Sequence, residues 1–312
     1  YSRQFNRALD GGDLEKAAQY SRRLVAMSTY DRATWLTNAT ETLFRLGNKW
    51  EDVLPENRAN FDAIESVYRE ALSLSPQDNG VRNVLANLLV KKARSIRNHP
   101  HTPEECRKGI ENLREAIELM ADGYPAYEEL SEYYLAQNDM NTLLNEWEDA
   151  VQRHPDRMLA QFNLGLAHER RGELDAALDA YRKALALKPE AEGTQEALER
   201  TLKKRAEECR QEGNNAASAK LLEEAVALRP MDDHAKIALA QTLGDLGDFA
   251  RAATQLRELI ALQPGTYAPY ELLSDLYLRD NDLAGLETEW RAQTAAHPDR
   301  MLAQFCLGLA LE

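Results

Sequence analysis

The sequence has little that would support chemistry by itself. Three cysteines in 312 residues, Cys106, Cys209 and Cys306, are too few and too far apart for a disulfide framework or a thiolate metal site. No apolar run approaches the roughly 20 residues of a membrane-spanning helix, which excludes membrane insertion by a helix. Tyr1-Ser-Arg-Gln-Phe has neither the basic start nor the apolar stretch of a signal peptide. It also lacks an initiator Met, so a longer chain that was cut or processed is expected. Positive charge is in deficit: 38 Lys and Arg face 52 Asp and Glu, a formal net charge of −14. Such a chain repels phosphate backbones and anionic lipid, which excludes a general nucleic-acid or membrane-surface binder. There is no Gly-x-Ser-x-Gly, no Walker-type glycine loop and no His-Glu-x-x-His, so catalysis has no visible home and the chain reads as a non-enzyme. What remains is 44% hydrophobic and 29% charged residues, enough for a buried core under a solvated surface. A soluble, cytoplasmic placement is favoured.

The organisation is a repeat. Pro155, Pro189, Pro230, Pro264 and Pro298 are spaced by 34, 41, 34 and 34 residues, the long interval carrying seven extra residues. Before each proline runs a 3.6-period apolar stripe such as Ala177-Leu178-Asp179-Ala180-Tyr181-Arg182-Lys183-Ala184-Leu185. Proline stops that helix because it has no N–H to donate. A second helix precedes it in each period, and the turn between them carries Gly and then an acid, as in Gly172-Glu173 and Gly247-Asp248. Glycine suits the end of one helix and the acid suits the positive N-terminal end of the next. Two antiparallel helices per period follow, and neither buries its stripe without stacked neighbours.

These residues resemble the tetratricopeptide repeat. The best copy runs from Met158 to Ala191, with Leu164, Gly165, Ala177, Tyr181, Ala184 and Pro189 at positions 7, 8, 20, 24, 27 and 32 of the period. Residues 199–232, 233–266, 124–157 and 267–300 are in phase with it, the last two departing together through Leu143 and Leu286 at a small-residue position and Trp147 and Trp290 at the aromatic one. The larger leucines should open the helix packing slightly. Residues 32–78 and 79–123 read as repeats with insertions, 192–198 as an insertion, and 1–31 and 301–312 as partial repeats. Insertions are expected as loops on one edge. The resemblance implies an all-α fold, a right-handed superhelical solenoid of antiparallel helix pairs.

A longer period lies over the short one. Tyr124-Pro-Ala-Tyr-Glu-Glu-Leu-Ser-Glu matches Tyr267-Ala-Pro-Tyr-Glu-Leu-Leu-Ser-Asp, and His154-Pro-Asp-Arg-Met-Leu-Ala-Gln-Phe matches His297-Pro-Asp-Arg-Met-Leu-Ala-Gln-Phe, both displaced by 143 residues. A duplicated block explains the match. Polar Asp156 and Asp299 within it read as caps of the next helix, with a shared binding feature as the other reading. His154 and His297 sit in a last helical turn, where an imidazole meets the dipole favourably. His99-Pro100-His101, with Cys106 beyond, reads as an exposed loop and not as zinc ligands, so no metal or cofactor is expected. Cys209 reads as a small buried hydrophobe and Cys306 as more accessible.

The resemblance further implies that the first helix of each pair lines a concave groove, through positions 2, 5, 9 and 12. These are Asn83 and Asn87, then Glu128 and Glu132, then Leu159, Phe162 and Leu166, then Lys203 and Arg210, then Glu271 and Asp275, then Phe305. The lysine and asparagine clamp by which family members hold a chaperone's C-terminal carboxylate is not formed, since position 5 varies through Asn83, Glu128, Phe162, Lys203, Ile237, Glu271 and Phe305. The expected function is a scaffold that binds a protein or peptide segment in the groove, one with basic residues beside an apolar anchor. The alternative is a substrate-recognition arm of a larger enzyme such as a glycosyltransferase. Met301–Glu312 reads as one helix of an unfinished repeat whose apolar face needs a following helix or a partner, which adds self-association through the end repeats.

Overall fold

The computed structural model describes residues 1–27, 32–53, 58–98 and 102–311. All regular structure among them is helical, in the order α1 Ser2–Asp10, α2 Leu14–Met27, α3 Arg32–Val53, α4 Arg58–Leu74, α5 Asn79–Asn98, α6 Pro103–Leu119, α7 Tyr124–Ala136, α8 Met140–Arg153, α9 Met158–Arg171, α10 Leu174–Leu187, α11 Glu192–Gln211, α12 Asn215–Leu228, α13 Asp233–Asp245, α14 Phe249–Leu262, α15 Tyr267–Arg279, α16 Leu283–Ala296 and α17 Met301–Ala310. The chain is an all-α stack of tetratricopeptide-type helix pairs. It divides into two compact units, Tyr1–Ala167 and His168–Glu312.

Local chemistry sets the helix boundaries. Asp139, Asn214, Asp248 and Asp282 each accept a hydrogen bond from a backbone N–H three residues on, occupying one of the orphan donors at a helix start. Thr102 and Glu105 form a reciprocal capping box in front of α6. The turns need one residue in the left-handed region. Gly172 and Gly247 supply it at φ +80° and +78°, whereas in the two duplicated pairs Asn138 and Asn281 supply it at φ 54° and 56°.

The inserted segments are spent on helix and not only on loops. Residues 192–198 form the first two turns of α11, with Thr194, Ala197 and Leu198 buried. The helices α3 and α5 are likewise lengthened, to 22 and 20 residues. The expectation of an edge loop is therefore corrected for residues 192–198, where continuing the helix satisfies backbone groups that a loop would leave to solvent, while residues 54–57 and 99–101 of the two upstream insertions lie outside the described residues. His99, Pro100 and His101 lie outside the described residues.

In the first unit the core gathers Tyr68, Leu89, Leu113, Tyr127, Tyr133 and Trp147. Close approach there requires glycine at 109, because a Cβ would stand 2.2 Å from the Tyr133 hydroxyl. That hydroxyl donates to the Ala93 carbonyl at 2.5 Å. In the second unit the core gathers Leu239, Leu256, Tyr270, Leu273, Trp290 and Cys306. Cys306 is 4% exposed, against the expectation of an accessible thiol, because it falls on the face of α17 that packs on α15 and α16. The backbones of α7 and α8, and of α15 and α16, come close over a shorter stretch than those of α13 and α14.

Candidate interaction face of the first helices

The residues singled out from sequence all lie on first helices of the pairs. In the first unit, Asn83 and Asn87 are exposed on α5, Glu128 is exposed and Glu132 half-buried on α7, and Phe162 and Leu166 are half-buried on α9. Leu159 is 8% exposed and packs into the core cluster with Ala160 and Leu164, so it belongs to the packing stripe and not to a contact surface. Phe162 meets Tyr124, the first residue of α7, with ring centroids 6.4 Å apart and planes tilted by 50°. Tyr124 is 43% exposed. The next acid along α7, Glu129, is buried instead, its two oxygens accepting from Arg94 Nε at 2.8 Å and Arg97 Nε at 2.6 Å.

The second unit places its set differently. Lys203 is half-buried and committed, with Nζ 2.7 Å from Asp232 and 2.5 Å from Glu199. Burial pushes the Asp232 carboxyl up, but its hydrogen bonds with Glu199 and Lys203 outweigh this and hold it at about 2. Lys203 is thus part of a structural ion-pair network. Arg210 is exposed and bonded through Nε and Nη2 to the Glu207 carboxylate, at 2.9 Å each. Glu271 and Asp275 are exposed and make no ion pair among the described residues. Phe305 is 51% exposed and meets Tyr267 with centroids 6.4 Å apart and a tilt of 59°. Met301 and Leu309, one turn to either side of Phe305, are 75% and 54% exposed, so α17 carries an apolar stripe. Arg210 and Asp275 come together on one cavity of about 280 Å³ between α11, α13 and α15.

Both units thus present an aromatic pair beside acids at the same register. Tyr124 and Tyr267 stand at position 1 of their repeats, which the position rules do not assign to the groove. Their signal was the repeated Tyr-x-x-Tyr-Glu motif itself.

The duplicated polar residues do other work than expected. The α17 helix starts after Arg300 with no side-chain cap, so Asp299 does not cap it. Gln304 Nε2 instead donates to the Pro298 carbonyl at 2.5 Å, as Gln195 does to Pro189 at 2.7 Å. Arg157 binds Glu118 at 2.8 Å, and His154, at the C-cap of α8, stands 3.1 Å from the same carboxylate. Among the described residues no group of three or more His, Cys, Asp or Glu is placed to hold a metal ion, and no helix is long and apolar enough to cross a membrane.

A family model for the tetratricopeptide repeat matches residues 134–192 and 237–285. The human protein O-mannosyl-transferase TMTC1 (Homo sapiens) is 26% identical over 216 residues, a match that covers 60% of this chain and 24% of that protein. The chain therefore spans about a quarter of that relative's length. Among solved structures, a tetratricopeptide repeat protein from Parabacteroides merdae is 15% identical, with 88% of this chain and 99% of that one covered and a TM-score of 0.35. The tetratricopeptide repeat protein TTC0263 of Thermus thermophilus is 21% identical, with 66% and 99% covered and a TM-score of 0.31. The family match falls on helix pairs of the 34-residue register, so over these residues the chain is similar to tetratricopeptide repeats.

Proposed function

We propose that the chain is a non-enzymatic interaction module that holds a protein or peptide segment against its first helices. One observation carries this: the Tyr124–Phe162 and Tyr267–Phe305 pairs recur at equal centroid distance, each on a surface that also presents acids, Glu128 and Glu132 in one unit and Glu271 and Asp275 in the other. The fitting segment presents an apolar anchor to the aromatic pair and basic residues to the acids. Asn83 and Asn87 add neutral hydrogen-bonding groups, and Leu166 extends the apolar area. Leu159, Lys203 and Arg210 are left out of the contact set because they are buried or engaged in ion pairs. A soluble, cytoplasmic placement goes with this reading.

The test is capture of partners from the native source by the whole chain and by variants. Phe162→Ala and Phe305→Ala each weaken binding by about 2 kcal/mol if they are anchors, whereas Glu128→Lys with Glu132→Lys mainly slows association and flattens its salt dependence. Capture unchanged in both alanine variants and lost on reversing charges of the second helices would refute the proposal.

A second reading is favoured by the match to the human mannosyltransferase: this stretch is the recognition arm of a larger enzyme. Mannosyl transfer to a protein acceptor by the native gene product, immunopurified through this chain, supports it. Partner capture without transfer supports the first.

A further inference from the structure

The cavity in the second unit is lined by Arg210, Gln241, Asp245, Asp275 and Arg279 over a floor that includes Leu272 and Leu276. Its two cations are spent. Arg279 Nη2 donates to Asp245 Oδ1 at 2.9 Å and to the Gly244 carbonyl at 3.0 Å, and Arg210 is bonded to Glu207. Asp275 makes no hydrogen bond or ion pair among the described residues, so the charge left at the cavity is negative.

The first unit contains its own version of this place. In the duplicated motif Glu129 and Glu132 of α7 correspond to Leu272 and Asp275 of α15. There the face is covered by arginine: α5 continues for seven residues beyond the length of α13, and this extension carries Arg94 and Arg97 onto Glu129. The charge of Glu132 also reaches Arg97. In the second unit α13 stops at Asp245, the cavity's two arginines are bonded to Glu207 and Asp245, and among the described residues no arginine pairs with Asp275, so a cavity of about 280 Å³ remains beside that carboxylate. Leucine replaces the second acid, so the floor suits an aliphatic stem and one charge suffices.

We propose that this cavity is a subsite for a basic side chain of a bound protein segment, an arginine whose methylenes lie on Leu272 and Leu276 and whose guanidinium pairs with Asp275. The partner thus supplies the arginine that the first unit supplies from its own α5. This deepens the proposed function and rests on it for the identity of the ligand as a protein segment, while the subsite itself is independent of the aromatic anchors.

The test uses the full chain labelled at leucine methyls and two probes that lack an apolar anchor, N-acetyl-arginine methylamide and its uncharged isostere N-acetyl-citrulline methylamide. The arginine probe should shift the Leu272 and Leu276 methyls saturably, with the citrulline probe weaker by up to about fivefold, the scale of one solvent-accessible ion pair. Asp275→Asn should remove the difference between the probes. Gln241→Arg, an exposed substitution that delivers the chain's own guanidinium to the cavity, should abolish the shifts. Phe305→Ala should leave the arginine response intact, so loss of partner capture in that variant with retained probe binding separates the anchor from the subsite. Equal response to the two probes, or an Asp275→Asn variant that still discriminates them, overturns the proposal. Shifts that spread over the surface without saturating at Leu272 and Leu276 overturn it as well.

Discussion

Residues 124–167 and 267–310 are two castings of one joint, and the contrast between them separates what the fold demands from what it merely tolerates. Kept in both are the stacked pairs Tyr127–Trp147 and Tyr270–Trp290, at 5.5 and 5.6 Å between centroids. Kept too is a carboxylate shared by an arginine and a tyrosine: Glu146 with Arg114 and Tyr134, Glu289 with Arg257 and Tyr277. Burial pushes the Glu289 carboxyl up, but Arg257 and Gln293 hold it below the ordinary range. What changes is the outer polar set. Glu129 with Arg94 and Arg97 becomes Leu272 without them, and Glu118 beside Arg157 becomes Ala261 beside Arg300. Core stacks are retained because packing fixes them, while the exposed Glu118–Arg157 pair contributes little and the buried Glu129 is of a kind that an apolar residue of similar size commonly matches.

The largest expected effect falls on the retained part. Trp147 and Trp290 are 1% and 0% exposed, and Trp147→Ala or Trp290→Ala should each cost about 3–5 kcal/mol. Hydrogen exchange of the α7 and α15 amides reads each unit separately, which a single melting curve of a two-unit chain does not. A cost near zero at either tryptophan would mean that its stack is not a core element. Both indole Nε1 atoms are buried without a hydrogen-bond partner among the described residues, so part of the folded-state desolvation is recovered on truncation, which sets the expectation toward the lower end.

The retained part is also the part that was legible in the sequence. Helix pairs followed from the proline spacing, and buried Tyr181, Trp147 and Cys209 followed from their period. Three features were not legible for one reason: they depend on which side chains meet across helices about 30 residues apart. Lys203 reads as a groove residue until Asp232, at the far end of the same repeat, closes on it. Leu159 reads as a contact until the neighbouring helices cover it. Residues 192–198 read as an edge insertion, yet they are helical because Ala197 and Leu198 find a core to enter. The candidate surface was half legible: position rules found Phe162 and Phe305 but not the tyrosines that flank them.

A middle-sized effect comes from exchanging the outer sets. Glu129→Leu copies the second unit into the first and should change stability by less than about 1 kcal/mol, because a buried ion pair is commonly matched by an apolar residue of similar size and Arg94 and Arg97 both reach solvent. Leu272→Glu copies the first into the second without its arginines and should cost about 2 kcal/mol, since a half-buried carboxylate gains no cation. Local exchange in α7 and α15 checks both. Equal costs in the two directions would show that Arg94 and Arg97 add nothing specific to the first unit.

The smallest expected effect restores a lost pair. Glu118 lies 2.8 Å from Arg157, and although burial alone would raise its carboxyl, the hydrogen bond and charge of Arg157, with His154 beside it, lower it below the ordinary value. Ala261→Glu offers Arg300 and His297 the same carboxylate. The gain is limited to about 0.5 kcal/mol, because the site is exposed and an acid in the last turn of α14 opposes the helix dipole. Its pH dependence has a definite sign. A carboxyl whose folded pKa is depressed stabilises above its unfolded value near ~4.3 and loses that contribution as pH falls through the lower folded value. The variant should therefore exceed the parent in α15–α17 exchange protection at pH 7 and low salt, and match it at pH 3. The gain should also shrink in 1 M salt. A gain that persists at pH 3 would come from helix propensity or packing and not from Arg300, and the loss of Glu118 at the corresponding site would then have no electrostatic cost to the second unit.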